Sequence, residues 1–172
     1  MPTASNLNTF LLFGDVHFNP FADASLVQKL AASDETQWKS ILSSSNQTAY
    51  ATYGQDTNYS LFESALDDMA ARAGNVSAII YPGDVLGHNF GADYASLTGD
   101  ASQAGLNSFI QKTLTFFTQE VESRFPDATI AEADPLAKAL FAVGHVVSVF
   151  MQDKFLTITK DDGIGWSELL PK

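Results

Sequence analysis

Two short segments hold the residues best suited to chemistry. Phe10-Leu11-Leu12-Phe13 runs into Gly14-Asp15-Val16-His17, and Ile79-Ile80-Tyr81 runs through Pro82-Gly83-Asp84 to His88, four residues further on. An Asp and a His at i, i+2 just past a strand can turn both side chains toward one ion. The carboxylate offers a hard oxygen and the imidazole a borderline nitrogen, a mixture that suits Zn, Mn or Fe better than Ca or Mg. Asp84 occupies the equivalent place on the second segment, and a carboxylate can bridge two cations about 3.5–4 Å apart. His88 can reach the edge of the same site as a proton donor or as a ligand. Gly and Asp are also common turn residues, so two strand-end turns with surface histidines are the plainer alternative. Against it stands a coincidence: the chain has three histidines, and two of them follow strand-end Gly-Asp pairs. If the loops share a cation, the Asp15 and Asp84 carboxylates must converge within about 6 Å.

The elements that would position these loops follow from hydrophobic patterning. Thr9–Phe13 and Ser77–Tyr81 read as buried strands. Between them, Ser33–Ser43 reads as a helix capped by Ser33, with Trp38, Ile41 and Leu42 on one face. Ser44–Tyr59 reads as a long polar surface loop. A second helix then opens on a Ser60–Glu63 capping box, carries Phe62, Leu66, Met69 and Ala70 on one face, and ends at Gly74. Strand, helix and strand make a parallel unit, with both Gly-Asp pairs at the carboxyl edge where open α/β sheets bind ligands. After a Gly- and Ala-rich loop, a long amphipathic helix spans about Ser102–Arg124 and stops at Phe125-Pro126-Asp127. Thr129-Ile130 begins a third strand. Beyond it, Asp134-Pro135 starts a short helix over Leu136–Val143, His145 reads as a turn residue, and Val146–Met151 with Phe155–Thr159 form a hairpin.

Composition narrows the partners. Nine basic residues against twenty acidic ones give a net charge of -11, which argues against nucleic acid and anionic membrane surfaces. The absence of cysteine rules out disulfides and thiolate metal sites. No segment has the roughly 20 apolar residues of a membrane span, and the polar Met1–Asn8 is no secretory signal, so the expected location is cytoplasmic. The sequons at Asn46, Asn58 and Asn75 are read as surface loops.

Phe13-Gly14-Asp15-Val16-His17-Phe18-Asn19-Pro20 and Tyr81-Pro82-Gly83-Asp84-Val85-Leu86-Gly87-His88 resemble the first two motifs of calcineurin-like metallophosphoesterases, in the acid sphingomyelinase-like branch. The resemblance covers about residues 8–130. It implies an α/β fold with a partial metallophosphoesterase-type sheet and flanking helices. It also implies two divalent ions (Zn, Mn or Fe), Asp15 and His17 as ligands of the first, Asp84 bridging both, and His88 near the leaving group. The implied activity is hydrolysis of a phosphodiester or monoester by a metal-bound hydroxide, on a small molecule or lipid headgroup. The family's third Gly-Asn-His or Gly-Asn-Asn motif and later histidine loops have no counterpart here. The tail, from Ala133-Asp134-Pro135-Leu136-Ala137-Lys138 through Phe155-Leu156-Thr157-Ile158-Thr159-Lys160 to Trp166, resembles the N-terminal domain of NifU-like iron–sulfur scaffold proteins. The expected organisation is therefore residues 1–130 as a phosphoesterase-like half and 131–172 as a small α/β hairpin element able to contact a protein partner. Two other functions follow from the same reading: a non-catalytic truncated or fused protein that acts by partner binding, and an iron–sulfur assembly accessory acting through the tail.

Overall fold

A computed structural model describes residues 9–81, 83–130, 146–152 and 155–160. Strand β1 (Thr9–Leu12) pairs in parallel with β2 (Val76–Ile80), and β2 with β3 (Thr129–Ile130), in the order β1-β2-β3. The period-2 alternation of a strand sends Leu11 and Ile79 toward the core, where Ile79 is 1% exposed. Phe10, Leu12 and Ile80 lie on the opposite, exposed face.

The helices supply most of the core. They are α1 (Val27–Ala32), α2 (Trp38–Ser43), α3 (Tyr59–Ala73), α4 (Phe90–Thr98) and α5 (Gln103–Arg124), with a 3-10 turn at Glu35–Gln37. Helix α5 starts where expected, with the Ser102 side chain accepting from the Gly105 N–H. Its Phe109, Phe116 and Phe117 run through the interior, packing against Phe21, Trp38, Phe18 and Phe62. Burying a large apolar side chain stabilises by about 1.5–3 kcal/mol, so this aromatic spine is the main cohesive feature. Trp38 is fully buried and its indole N–H donates to the Leu30 carbonyl at 3.0 Å, which satisfies the polar end of the ring.

Several expectations need correction. The Ser33–Ser43 helix is broken. Asp34, not Ser33, caps the 3-10 turn through Thr36, and α2 begins only at Trp38. Helix α3 is capped by Asn58, whose side chain accepts from the Leu61 N–H, so the Ser60–Glu63 box does not form. Glu63 is drawn instead to Arg124 on α5, at 2.8 Å. Helices α1 and α4 occupy stretches that had no helical reading. Gly74 does end α3, at φ 64°.

The expected phosphoesterase-type sheet is also corrected. The parallel sheet has strands of 4, 5 and 2 residues, and helix dominates the described residues. Strand β1 stops at Leu12, ahead of the left-handed backbone at Asp15, and the bulk of the apolar surface is carried by helices. Strands β4 (Val146–Gln152) and β5 (Phe155–Lys160) pair antiparallel as a separate two-stranded sheet, as the tail pattern predicts. The expected helix at 136–143, His145 and Trp166 lie outside the described residues.

One charge cluster belongs to the fold. The Glu120 carboxylate, 7% exposed, receives Lys39 Nζ at 2.6 Å and also Arg124 Nη1. Arg124 further reaches Asp67 through Nε at 3.2 Å, so it ties α5 back to α3. Burial and the neighbouring Glu120 push the Glu63 carboxyl above the usual range. Burial pushes Glu120 the same way, but Lys39, Glu63 and Arg124 outweigh it and hold Glu120 below that range.

Candidate metal centre

Three loops meet on Phe18, which is fully buried. The loop after β1 and the loop after β2 are joined by backbone bonds: Asp15 N–H to Gly83 O, His17 N–H to Asp84 O at 2.9 Å, and Phe18 N–H to Val85 O at 2.6 Å. The loop before α3 joins from the other side, through Asn19 N–H to Thr57 O and Thr57 N–H to His17 O. Phe18 thereby bridges both Leu86 and Thr57 in parallel fashion. Below the loops, Phe13 and Tyr81 pack edge-on to each other, and both rings contact Phe117 of α5.

This arrangement bends the backbone sharply. Asp15, His17 and Asp84 take φ values of 60°, 46° and 59°. Left-handed backbone costs an L-residue roughly 1–2 kcal/mol, less for Asp, and persists only where surrounding bonds enforce it. Here the cross-loop ladder enforces it. The result is convergence: ligand atoms of Asp15, His17 and Asp84 lie within 4.8 Å of one another, inside the separation expected for a shared cation.

His17 sits between two partners. Its Nδ1 is 3.1 Å from the Leu86 carbonyl and its Nε2 is 2.9 Å from Asp15 Oδ1. A carbonyl can only accept, so Nδ1 carries hydrogen and Nε2 is the nitrogen available to a metal. A backbone carbonyl that fixes the tautomer in this way is the usual outer support of a metal-ligating histidine. Burial lowers the basicity of His17, but the Leu86 carbonyl and the Asp15 and Asp84 carboxylates outweigh it, and the pKa is raised. These donors fit a divalent cation: two carboxylates, one oriented imidazole and a concentration of negative charge.

A second group overlaps the first. His17, Asp56 and His88 also offer ligand atoms within 4.8 Å of one another. The His88 ring stacks on His17 with centroids 4.3 Å apart. The Asp56 carboxylate accepts from His88 twice, from the backbone N–H and from Nδ1, each at 2.6 Å. Sequence reasoning missed Asp56 because it lies in a loop read as featureless. The available signal was charge: Asp56 is the one charged residue between 44 and 59.

The four residues singled out from the sequence therefore do assemble, Asp15, His17 and Asp84 in one group and His88 through His17 in the other. Both groups can coordinate a divalent metal. No helix among the described residues is long and apolar enough to cross a membrane.

Comparison with known proteins bears on the other end of the chain. Residues 107–172 match the family described as "Scaffold protein Nfu/NifU N terminal". The match is to a scaffold family. It begins inside α5 and includes the β4–β5 hairpin. The NifU-like protein 5, mitochondrial, of Arabidopsis thaliana is 47% identical over 47 residues, covering 27% of this chain and 17% of that protein. The NFU1 iron-sulfur cluster scaffold homolog, mitochondrial, of Drosophila sechellia is 46% identical over 48 residues, with 28% and 17% covered. The NifU-like protein 4, mitochondrial, of Arabidopsis thaliana is 40% identical over 48 residues. The chain thus spans about 17% of the length of these relatives. No solved structure gives a significant match.

These findings correct the family reading. The resemblance of the tail to NifU-like proteins is matched, whereas the metallophosphoesterase assignment is not. Hydrolysis of a phosphoric ester, the hydrolase class and the sphingomyelinase-like substrate fall with it. The physical reason is that two Gly-Asp loops specify a local turn geometry and not the extended sheet that such an enzyme needs. The cytoplasmic expectation is corrected too, since the relatives bear mitochondrial names.

Proposed function

We propose that the chain is an accessory of iron–sulfur cluster assembly that binds a protein partner through its C-terminal segment. The observation that carries this reading is the scaffold-family match over 107–172. The chain has no cysteine, so it supplies no thiolate to hold a cluster, and its part is contact with a protein that does. In keeping with the names of its relatives, it works in the mitochondrion. Residues 131–172 form the contacting segment. The test is binding of the full chain to a purified, cluster-loaded NifU-like scaffold protein, followed by calorimetry. Saturable binding that disappears on deletion of 131–172, with the helical circular dichroism of 1–130 retained, is the expected result. A folded full chain that shows no binding would overturn the reading.

A second reading concerns the strand-end loops. Asp15, His17 and Asp84 bind one divalent cation, supported by the convergence of their ligand atoms within 4.8 Å. With the hydrolytic role set aside, His88 is treated as a ligand candidate. Titration with Mn2+ should show saturable binding that Asp84→Asn removes, and binding unaffected by that change would sink the assignment.

A further inference from the structure

His17 belongs to two ligand groups at once. Its Nδ1 is committed to the Leu86 carbonyl, so it has one nitrogen to give. Both groups need that nitrogen. In the present arrangement Nε2 faces an anionic oxygen of Asp15 at 2.9 Å, and two electron-rich atoms this close require a proton or a cation between them.

The groups differ in chemistry. Asp15, His17 and Asp84 offer two oxygens and one nitrogen. His17, Asp56 and His88 offer two nitrogens and one oxygen. Carboxylates suit Mg2+ and Mn2+, imidazoles suit Fe2+ and Zn2+, and two histidines with one carboxylate are a set that holds ferrous iron while leaving coordination positions open.

The second group is assembled with some care. The Asp56 side chain is 15% exposed and that of His88 is 68% exposed, so a covered carboxylate holds an imidazole that reaches outward. Gly87 makes room for it: a Cβ there would lie 2.8 Å from Asp56 Oδ2 and 3.3 Å from the Phe18 carbonyl. The Asp56 carboxylate and His88 Nδ1 face each other at 2.6 Å, so an ion bound by both takes the place of the hydrogen bond that now joins them. Each Asp56 oxygen accepts one bond and retains a second lone pair for a metal. Asp56 and His88 also line an open cleft of about 930 Å³, along with Tyr50, Gln55 and Asn89, through which further ligands can reach an ion. The stacked rings must fan apart for both nitrogens to reach one ion, a movement that the exposed His88 side chain can make.

We propose that the strand-end loops form a single-cation centre with two alternative seats that share His17. Hard ions such as Mn2+ settle at Asp15–His17–Asp84. Borderline ions, Fe2+, Co2+ and Zn2+, settle at His17–Asp56–His88. This rests on the cation reading of Asp15, His17 and Asp84 given above.

The test uses the full chain with Mn2+ and Co2+ as separate probes, read by paramagnetic resonance and visible absorbance. Either ion should bind at one per chain, and each should displace the other. His88→Ala and Asp56→Asn should each weaken Co2+ binding by roughly 10–100-fold while leaving Mn2+ within about twofold. Asp84→Asn should do the reverse, and His17→Ala should weaken both. His88→Gln serves as a milder second variant, and circular dichroism confirms that each variant is folded. Simultaneous binding of both ions, or Co2+ binding indifferent to His88 and Asp56, overturns the two-seat proposal. If Mn2+ binding still depends on Asp84 in that case, the simpler cation reading stands. Mn2+ binding that does not depend on Asp84 overturns both.

Discussion

The molecule gathers charge in two places, and the two are built oppositely. Between α3 and α5, Lys39 and Arg124 face Glu63, Glu120 and Asp67, so cations and anions of the protein answer one another. At the strand-end loops, Asp15, Asp56 and Asp84 meet two histidines, and among the described residues no lysine or arginine is paired with them. The first cluster is largely covered and closed, and what it does is hold α2, α3 and α5 together. The second is open, and its negative charge is left for something from outside to balance. The difference separates a structural network from a binding site better than charge density alone does.

The comparison breaks if the closed cluster is dispensable. Arg124 has a 13% exposed side chain and touches three carboxylates. Removing one partner of a buried ion pair leaves the other charge without compensation and costs about 3–5 kcal/mol. Arg124→Ala should therefore destabilise by roughly that amount in urea unfolding. Metal affinity of the fraction that remains folded should be unchanged. A loss under about 1 kcal/mol would place the network in the class of surface pairs that contribute little.

The open cluster makes the converse prediction. A cation that binds the folded chain alone stabilises by about 2.7 kcal/mol at a concentration of 100 Kd. Thermal unfolding with Mn2+ should shift upward by a corresponding amount, and EDTA should reverse it. Asp84→Asn should abolish the shift, whereas Arg124→Ala should keep it.

What the sequence revealed of all this depends on range. The Gly14-Asp15 and Gly83-Asp84 loops were legible because a strand ending in Gly-Asp is a local pattern, and their convergence follows from parallel pairing. Asp56 was not legible. Its role exists only because the loop carrying it is tied to His17 and Asn19 through Thr57. The α3 cap shows the same limit, since the Asn58 side chain is held by Ala49 and Ala51 of the loop before it, partners that no local template reveals. The short helices α1 and α4 carry too few turns to show a clear period. The family reading erred where two short motifs were extended to a whole fold. The tail resemblance, spread over some forty residues, carried more information and was matched. A pattern that constrains one loop leaves the rest of the sheet undetermined.

A smaller effect tests how tightly the helical face of the molecule is packed. A Cβ at Gly105 would lie 1.9 Å from Asp100 Oδ2 and 2.6 Å from Tyr94 Oη. Those two groups are bonded to each other at 2.9 Å, and Asp100 also accepts from the Ser102 N–H at the start of α5. Gly105→Ala must push that pair apart. Overpacking of this kind costs about 1–3 kcal/mol, partly offset by the better helix propensity of Ala. A variant as stable as the parent would show that the Asp100–Tyr94 contact can shift freely.

The smallest expected effect lies inside the closed cluster and depends on pH. Glu63 and Glu120 share their surroundings yet shift in opposite directions. The raised Glu63 carboxyl binds a proton more readily folded than unfolded, so acidification through its folded pKa adds stability. The lowered Glu120 carboxyl contributes stability above the ordinary Glu value of about 4.3, and loses it as pH falls through its folded value. From neutral pH downward, this cluster's contribution should first rise slightly and then fall below about pH 4. Both groups keep some access to water, so the initial rise is a small change in the urea midpoint. Glu63→Gln should remove the rise and leave the later fall. A midpoint that declines steadily from pH 7 in both proteins would mean that the two carboxyls are not divided in this way. Lys39 and Arg124 would then hold both carboxyls below the ordinary range, and the closed cluster would stand still further from the open one.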